Sequence, residues 1–560
     1  KQFHDGSRKW VFEKMKRWNN NDDENHNSRM FILSGVGGIG KTTIASVLTK
    51  PDNPANINVV AHFFCNHKHE NKKNPYNVLT TISFQLAERS IPYKEKISNT
   101  EINESMKLDD VFDILFAPLH DINPPVETTQ EGERKWVILI DGLDECGPTD
   151  LKNDLLNCIQ DHFESLPSWL SFIITTRPEV CSVDCLSQFN PTSLTAESKE
   201  NIADIQRYLH EILTEKGLSG DDLTNGVEIL VNKSENLFIY IHYIMKRLAR
   251  SKTVSLNELK EFPKGIERFY ELQFNRLFEC KKFDKKFKTT SMWKIIEVII
   301  VANEPLHIDM LINFIEFQDG MDECVEITNK LSEFFPIYND YIHILHKSVS
   351  DWLTKKERRR KQLYIDLTKI NETVGKKCVE ILFENDLCIE DVENRGKAFI
   401  YAMKYGIRHL CEGGLSKEGR RLMFQFEWLL QRAVLGPVHA LVEDANRVAE
   451  YCNADDRPFQ LLHSALRLSQ SGLSTSPWQM AGQLVARLMG YADPVNMNEF
   501  YHEEIGTLLK HVKSWKGPNG GKGWWYPIRQ TYEAAGGACR QTLVGHSNWV
   551  NAVAFNHDGS

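Results

Sequence analysis

Gly35-Val36-Gly37-Gly38-Ile39-Gly40-Lys41-Thr42 follows the apolar run Met30-Phe31-Ile32-Leu33 and has the G-x-x-x-x-G-K-[ST] spacing of a phosphate-binding loop. Glycines permit a turn too tight for side chains, so backbone N–H groups converge on phosphate oxygens at a helix N-terminus. Lys41 supplies a point charge for the outer phosphates, and the hydroxyl of Thr42 is placed to ligate Mg²⁺. Thr43 and the residues after it open a helix whose dipole faces the phosphates. The chemistry implied is capture of ATP or GTP with magnesium.

A second constellation follows. Trp136-Val137-Ile138-Leu139-Ile140 is an apolar run of strand length ending in Asp141-Gly142-Leu143-Asp144-Glu145, which sets carboxylates at the C-terminal edge of a buried parallel strand. Asp141 would hold magnesium through water, and Asp144 or Glu145 would orient or deprotonate an attacking water. Spacing does not choose between the two. A third run, Phe172-Ile173-Ile174-Thr175, ends in Thr176-Arg177-Pro178; the proline stops the strand and leaves Arg177 at the same edge, where an arginine can sense or stabilise a γ-phosphate.

Together the phosphate loop, the Asp-Gly-Leu-Asp-Glu cluster and the Thr-Thr-Arg-Pro strand end resemble the NACHT division of the STAND signalling NTPases. Residues 342–353 look like the winged-helix segment of that family, whose characteristic histidine falls on His346; the sequence alone reads His346 as a strand histidine. Residues 401–410 and 461–469 are similar to the helical connector of NACHT proteins with WD repeats. Thr542-Leu543-Val544-Gly545-His546 and the strand pattern after it are similar to the opening of a WD blade, so the chain is expected to be a fragment of a longer protein. The resemblance implies a switch: an ADP-bound closed monomer with His346 on the β-phosphate, an ATP-bound form that opens and assembles into rings, and slow ATP hydrolysis as reset. It also implies protein partners that meet the WD repeats and an effector region upstream. The stretch 234–240 lacks the proline that contacts adenine in relatives, so ATP over GTP rests on the resemblance. Two other functions fit the motifs: a continuously hydrolysing NTPase that remodels nucleic acid or protein, and a scaffold that keeps nucleotide as a structural cofactor.

Composition narrows the partners. The 560 residues are 41% hydrophobic and 26% charged, as in soluble globular chains, and 67 basic against 76 acidic residues leave a net charge of −9 that does not favour nucleic acid. The basic runs at 281–288 and 355–361 read as solvated helix faces. Twelve cysteines without a CxxC pair argue for reduced thiols in a cytoplasmic protein rather than disulfides or a zinc site. No apolar run is long enough to span a membrane.

These motifs require a particular scaffold. Alternating strands and helices from about Met30 to about Leu194 predict an α/β P-loop NTPase with a mostly parallel sheet and helices on both faces. The expected organisation is an N-terminal linker and helix (1–29), the NTPase core (30–195), a helical lid (196–290), a winged helix (291–354), an all-α helical domain (355–515), a linker (516–540) and a partial first WD repeat of a β-propeller (541–560). In the lid, Leu230, Ser234, Leu237 and Ile241 suggest one helix face; Asn339-Asp340 predicts the turn of the winged-helix hairpin.

Overall fold

A computed structural model describes residues 6–21, 29–98, 100, 102, 106–122, 128–129, 132–133, 135–146, 154–163, 165–178, 189–249, 253–278, 290–359, 361–384, 395–451, 455–492, 502–517 and 535. The WD-like segment and the basic run 281–288 lie outside these residues, as does the linker 516–540 apart from Lys516, Gly517 and Ala535. The chain divides into two compact units, Lys1–Ile370 and Asn371–Ser560.

The first unit opens with α1 (Lys9–Asn19), β1 (Met30–Gly35), α2 (Lys41–Leu48) and β2 (Val59–Phe64). Helices α3 (Glu70–Lys73), α4 (Pro75–Arg89), α5 (Ile91–Ile97) and α6 (Leu108–Phe116) follow, then a small hairpin of β3 (Thr128–Thr129) and β4 (Gly132–Glu133). The core closes with β5 (Trp136–Asp141), α7 (Asp154–Phe163), β6 (Leu170–Thr176) and β7 (Thr192–Leu194). Five strands pair in the order β2-β5-β6-β1-β7, all parallel.

Because successive strand side chains point to opposite faces, each apolar run feeds two cores. Ile32, Ile138, Ile140, Phe172 and Ile174 pack with residues of α4, α6 and α7. Phe31, Leu33, Val137, Leu139 and Ile173 pack with α1 and α2. This explains why β1, β5 and β6 are continuously hydrophobic rather than alternating. The first residues, expected to be a linker with a short helix, contribute to the second core: Val11, Phe12, Met15 and Trp18 of α1 are buried there.

The helical module comprises α8 (Lys199–Glu215), α9 (Gly220–Ser234), α10 (Phe238–Leu248), α11 (Leu256–Glu261) and α12 (Ile266–Leu277). The expected single helix through 230–241 is instead two. Glu235 and Asn236 adopt φ of 49° and 58°, which ends α9, and α10 restarts at Phe238. The Ser234 hydroxyl accepts from the Asn236 N–H at 3.1 Å, and Asn201 Nδ2 donates to the Asn236 carbonyl at 3.0 Å, so the break is held from both sides.

The winged helix is built from α13 (Ser291–Val301), β8 (Leu306–His307), α14 (Leu311–Phe314), α15 (Gly320–Leu331), β9 (Ile337–Tyr338), β10 (Tyr341–Ile342) and α16 (Lys347–Thr354). Its sheet runs β8-β10-β9, antiparallel. Asn339 and Asp340 turn the hairpin with φ of 50° and 63°, as their pairing predicts. Tyr270 and Phe274 of α12 join it to the helical module by ring contacts with Phe334 and Trp352.

The second unit is helical: α17 (Leu367–Glu384), which begins just before the division, α18 (Lys397–Glu412), α19 (Ser416–Met423), α20 (Phe426–Leu435), α21 (Val438–Tyr451), α22 (Arg457–Thr475), α23 (Met480–Leu488) and α24 (Glu503–Ser514). Arg420 ties α19 to Asp456 and to Glu504 of α24, and Arg432 pairs with Asp444 in the interior. No described helix is long and apolar enough to cross a membrane.

Candidate nucleotide site

The loop between β1 and α2 forms the floor of a cavity of about 240 Å³ lined by Gly37, Gly38, Ile39, Gly40, Lys41, Thr42 and Thr43. Gly38 and Gly40 have φ of 84° and 110°, backbone that side chains resist. At Gly38 a Cβ would also lie 2.5 Å from Ile239 Cγ2. The Ile239 N–H donates to the Gly38 carbonyl at 3.2 Å, so the N-terminus of α10 rests directly on the loop. Lys41 Nζ donates to the carbonyl of Gly35 and, at 3.3 Å, to that of Val36. Burial lowers the Lys41 pKa against the opposing pull of Asp144. Gly35 and Val36, read as part of the cradle, therefore present carbonyls to the lysine, while Val36 is exposed.

Strand order places the other groups. Since β6 lies between β1 and β5, Arg177 emerges between the phosphate loop and the acidic cluster. Asp141 is 2% exposed; the Thr175 hydroxyl donates to its Oδ1 at 2.6 Å and accepts from the Gly142 N–H at 2.9 Å. Asp144 and Glu145, left open as alternatives, occupy different environments. Asp144 pairs with Arg177 Nε at 3.0 Å, yet burial and the charge of Glu145 raise its pKa over the effects of Lys347, Arg177 and Lys41. Glu145 accepts from His67 Nδ1 at 2.9 Å; burial pushes its pKa upward, but the hydrogen bond and charge of His67 outweigh it and hold the carboxyl at about 2. Burial lowers the pKa of His67 against the opposing hydrogen bond and charge of Glu145, and its Nδ1–H donates to the carboxylate. Asp144 is thereby the better proton acceptor of the two and Glu145 the better-fixed charge.

Arg177 also reaches Asp351 of α16, Nη2 to Oδ2 at 3.2 Å. Burial opposes its charge, but Asp351 and Asp144 hold its pKa above the ordinary value. His346 is not the strand histidine that the sequence alone suggests: it caps α16, its Nδ1 accepting from the Ser348 N–H at 3.1 Å. A backbone N–H can only donate, so the proton sits on Nε2. His346 and Lys347 line the same cavity as Gly38 and Arg177. Every residue expected at the site except Gly35, Val36 and Asp141 lines this cavity, and those three flank it in β1, the loop and β5.

Arg8, which the sequence reading placed in a linker, is the group it missed. It is 3% exposed, φ 60°, with Nη2 donating to the Ile39 carbonyl at 2.6 Å and its guanidinium 4.7 Å from the Phe238 ring centroid. Its backbone N–H donates to Asp204 at 3.0 Å. Burial, opposed by Asp204, lowers its pKa to about 10. Among the described residues, Arg8 Nη1 is buried without a hydrogen-bond partner in this cavity. The only advance signal was its position immediately before an amphipathic helix.

These residues fit the group the motifs imply. A cation-lined hollow with loop amides, a folded-back lysine and an orphaned guanidinium nitrogen suits phosphates, and the Thr42 hydroxyl with the Asp141 carboxylate is a hard oxygen set that suits Mg²⁺. Loop geometry, strand order and the acidic strand end define a P-loop NTPase fold with a nucleotide site.

A family model described as Nephrocystin 3, N-terminal, matches residues 6–177, the segment from Arg8's turn to Arg177. No curated protein matches the chain. Among solved structures, the Walker-type ATPase PABY2304 of Pyrococcus abyssi aligns at a TM-score of 0.29 and 11% identity over 63% of this chain and 98% of that one. The Thermotoga maritima RuvB Holliday junction branch migration motor aligns at 0.24 and 13% over 64% and 96%. The fold assignment rests on strand order and loop geometry rather than on these distant alignments.

Proposed function

We propose that the chain is a nucleotide-dependent molecular switch of the NACHT type within the STAND NTPases, closed with ADP and opened by ATP. One observation carries this reading: the phosphate loop, α10 of the helical module and the start of α16 of the winged helix all line a single cavity. A nucleotide there touches three modules at once, so its terminal phosphate can alter how they dock. It shifts that equilibrium only by its differential affinity, and full reversal of a 1:99 population needs about 5.5 kcal/mol.

Arg177 is the proposed sensor. It is shared between Asp144 on the core and Asp351 on the winged helix, and a γ-phosphate competes with Asp351 for it. Lys68 Nζ, donating to the Ile300 and Ala302 carbonyls at 2.7 and 2.9 Å, is a second link to the C-terminal end of α13. Magnesium held by Thr42 and Asp141 would neutralise charge on the outer phosphates. His346 offers an Nε2–H donor for the β-phosphate, Asp144 accepts a proton from water, and Glu145 positions it. Hydrolysis is slow and resets the switch. The open form assembles into a ring, and WD repeats and an upstream region meet protein partners in the cytoplasm.

The test is to denature the purified protein, identify the released nucleotide, and compare mass in solution with ADP and with a non-hydrolysable ATP analogue. Lys41→Ala should lose the nucleotide and Asp351→Asn should assemble more readily with the analogue. Retention of nucleotide by Lys41→Ala, or the same mass in all states, would sink the reading.

A further inference from the structure

Away from the nucleotide cavity, two neighbouring helices present paired donors one turn apart. Helix α6 carries Asp109 and Asp113, and α7 carries Cys158 and His162, both at i,i+4 spacing on facing surfaces. One ligand atom each from Asp109, Cys158 and His162 lies within 4.8 Å of the others. Asp109 Oδ1 is 3.3 Å from His162 Nε2, and Asp113 Oδ1 is 3.1 Å from His162 Nδ1. The imidazole stacks on Phe112 with centroids 5.1 Å apart, which fixes its plane. Cys158 is 2% exposed and its thiol leans on the Leu108 carbonyl at 3.9 Å.

We propose that Asp109, Cys158 and His162 bind a divalent transition-metal ion of the zinc class, with Asp113 orienting the imidazole through Nδ1. A thiolate, an imidazole nitrogen and a carboxylate form a donor set that Zn²⁺ accepts and that Mg²⁺ or Ca²⁺ does not favour. Tetrahedral Zn²⁺ at bonds of about 2.0–2.3 Å places donors about 3.3–3.8 Å apart, so the ligand atoms, now within 4.8 Å of one another, draw closer on loading. The Asp113–His162 contact has the arrangement of a carboxylate that holds a metal-ligating histidine in one tautomer. Loading requires a thiolate and a free lone pair on the imidazole Nε2, so it releases protons to solvent, and it leaves a fourth position for water. The ion would clamp α7 to α6, both of which pack on the sheet face that includes Ile138 and Ile140 of β5. The expectation of no zinc site fails to anticipate this cluster because its two Asp-x-x-x-Asp and Cys-x-x-x-His halves lie on separate helices.

The full chain, stripped of metal and nucleotide, is titrated with Co²⁺. The expected result is tetrahedral d–d absorption with a thiolate-to-cobalt charge-transfer band, release of protons, and displacement by Zn²⁺. Cys158→Ser should remove the charge-transfer band, and His162→Asn and Asp113→Asn should each weaken binding roughly 10- to 100-fold, with unchanged far-UV circular dichroism. Should Cys158→Ser fail to fold, the two partly exposed positions still decide the matter. No charge-transfer band in the native chain, equal affinity in His162→Asn, or a band that survives Cys158→Ser and disappears in Cys146→Ser would overturn the site.

Discussion

At the scale of residues, the acidic cluster makes the sharpest claim. Glu145 has its pKa held at about 2 in the fold against an ordinary 4.5. A depressed carboxyl contributes stability that is present above the unfolded value and is lost as pH falls through the folded one, so the window runs from about 4.5 down to about 2. Allowing for residual solvent contact, the contribution at neutral pH is on the order of 2 kcal/mol. Glu145→Gln should therefore lower the urea midpoint at pH 7, with the difference from wild type shrinking as acid is added; a difference independent of pH across that window would refute the assignment. Much of this cluster was legible in advance: an apolar strand ending in Asp141, Asp144 and Glu145 needs no structure to be recognised. The partners were not. His67 lies after β2 and Asp351 in α16, far away in sequence, and no local pattern announces that they converge on Glu145 and Arg177.

At the scale of elements, the contact between the phosphate loop and α10 is the proposed point of transmission. Gly38→Ala adds a methyl 2.5 Å from Ile239 at a left-handed backbone position, which should cost about 1–3 kcal/mol and weaken nucleotide binding. The double variant with Ile239→Ala removes the clash but not the strain, so titration calorimetry should show partial recovery of affinity; full recovery or none would disprove this division. Lys68→Ala removes the tether to the end of α13 and should speed ADP release in stopped-flow displacement, whereas unaltered release would exclude a clasp there. Strands β1, β5 and β6 of the core were readable from their apolar runs and the hairpin from Asn339-Asp340, whereas β7, Thr192–Leu194, has no such run. The break between α9 and α10 was not, because apolar spacing continues across it while Glu235 and Asn236 turn the backbone aside.

Across the whole molecule, all residues of the nucleotide cavity belong to the unit Lys1–Ile370. Saturating nucleotide at about 100 times its dissociation constant should stabilise that unit by about 2.7 kcal/mol. Hydrogen exchange should then slow not only in α2 but also in α10 and at the start of α16; slowing confined to the phosphate loop would mean the modules do not respond together. The role of Arg8 belongs to this scale as well. An amphipathic helix outside the recognised motif supplies apolar side chains to the sheet and brings a guanidinium to the cleft, a relation that only the folded chain displays.

The hydroxyl of Thr175 has one proton, and it goes to Asp141; its lone pair is taken by the Gly142 N–H. The aim of the Asp141 carboxylate, proposed above to hold magnesium, thus depends in part on the adjacent strand. A shape-matched Thr175→Val chain would keep the methyl packing and lose both of these restraints, so the proposed magnesium ligand owes part of its aim to two neighbouring strands held in register.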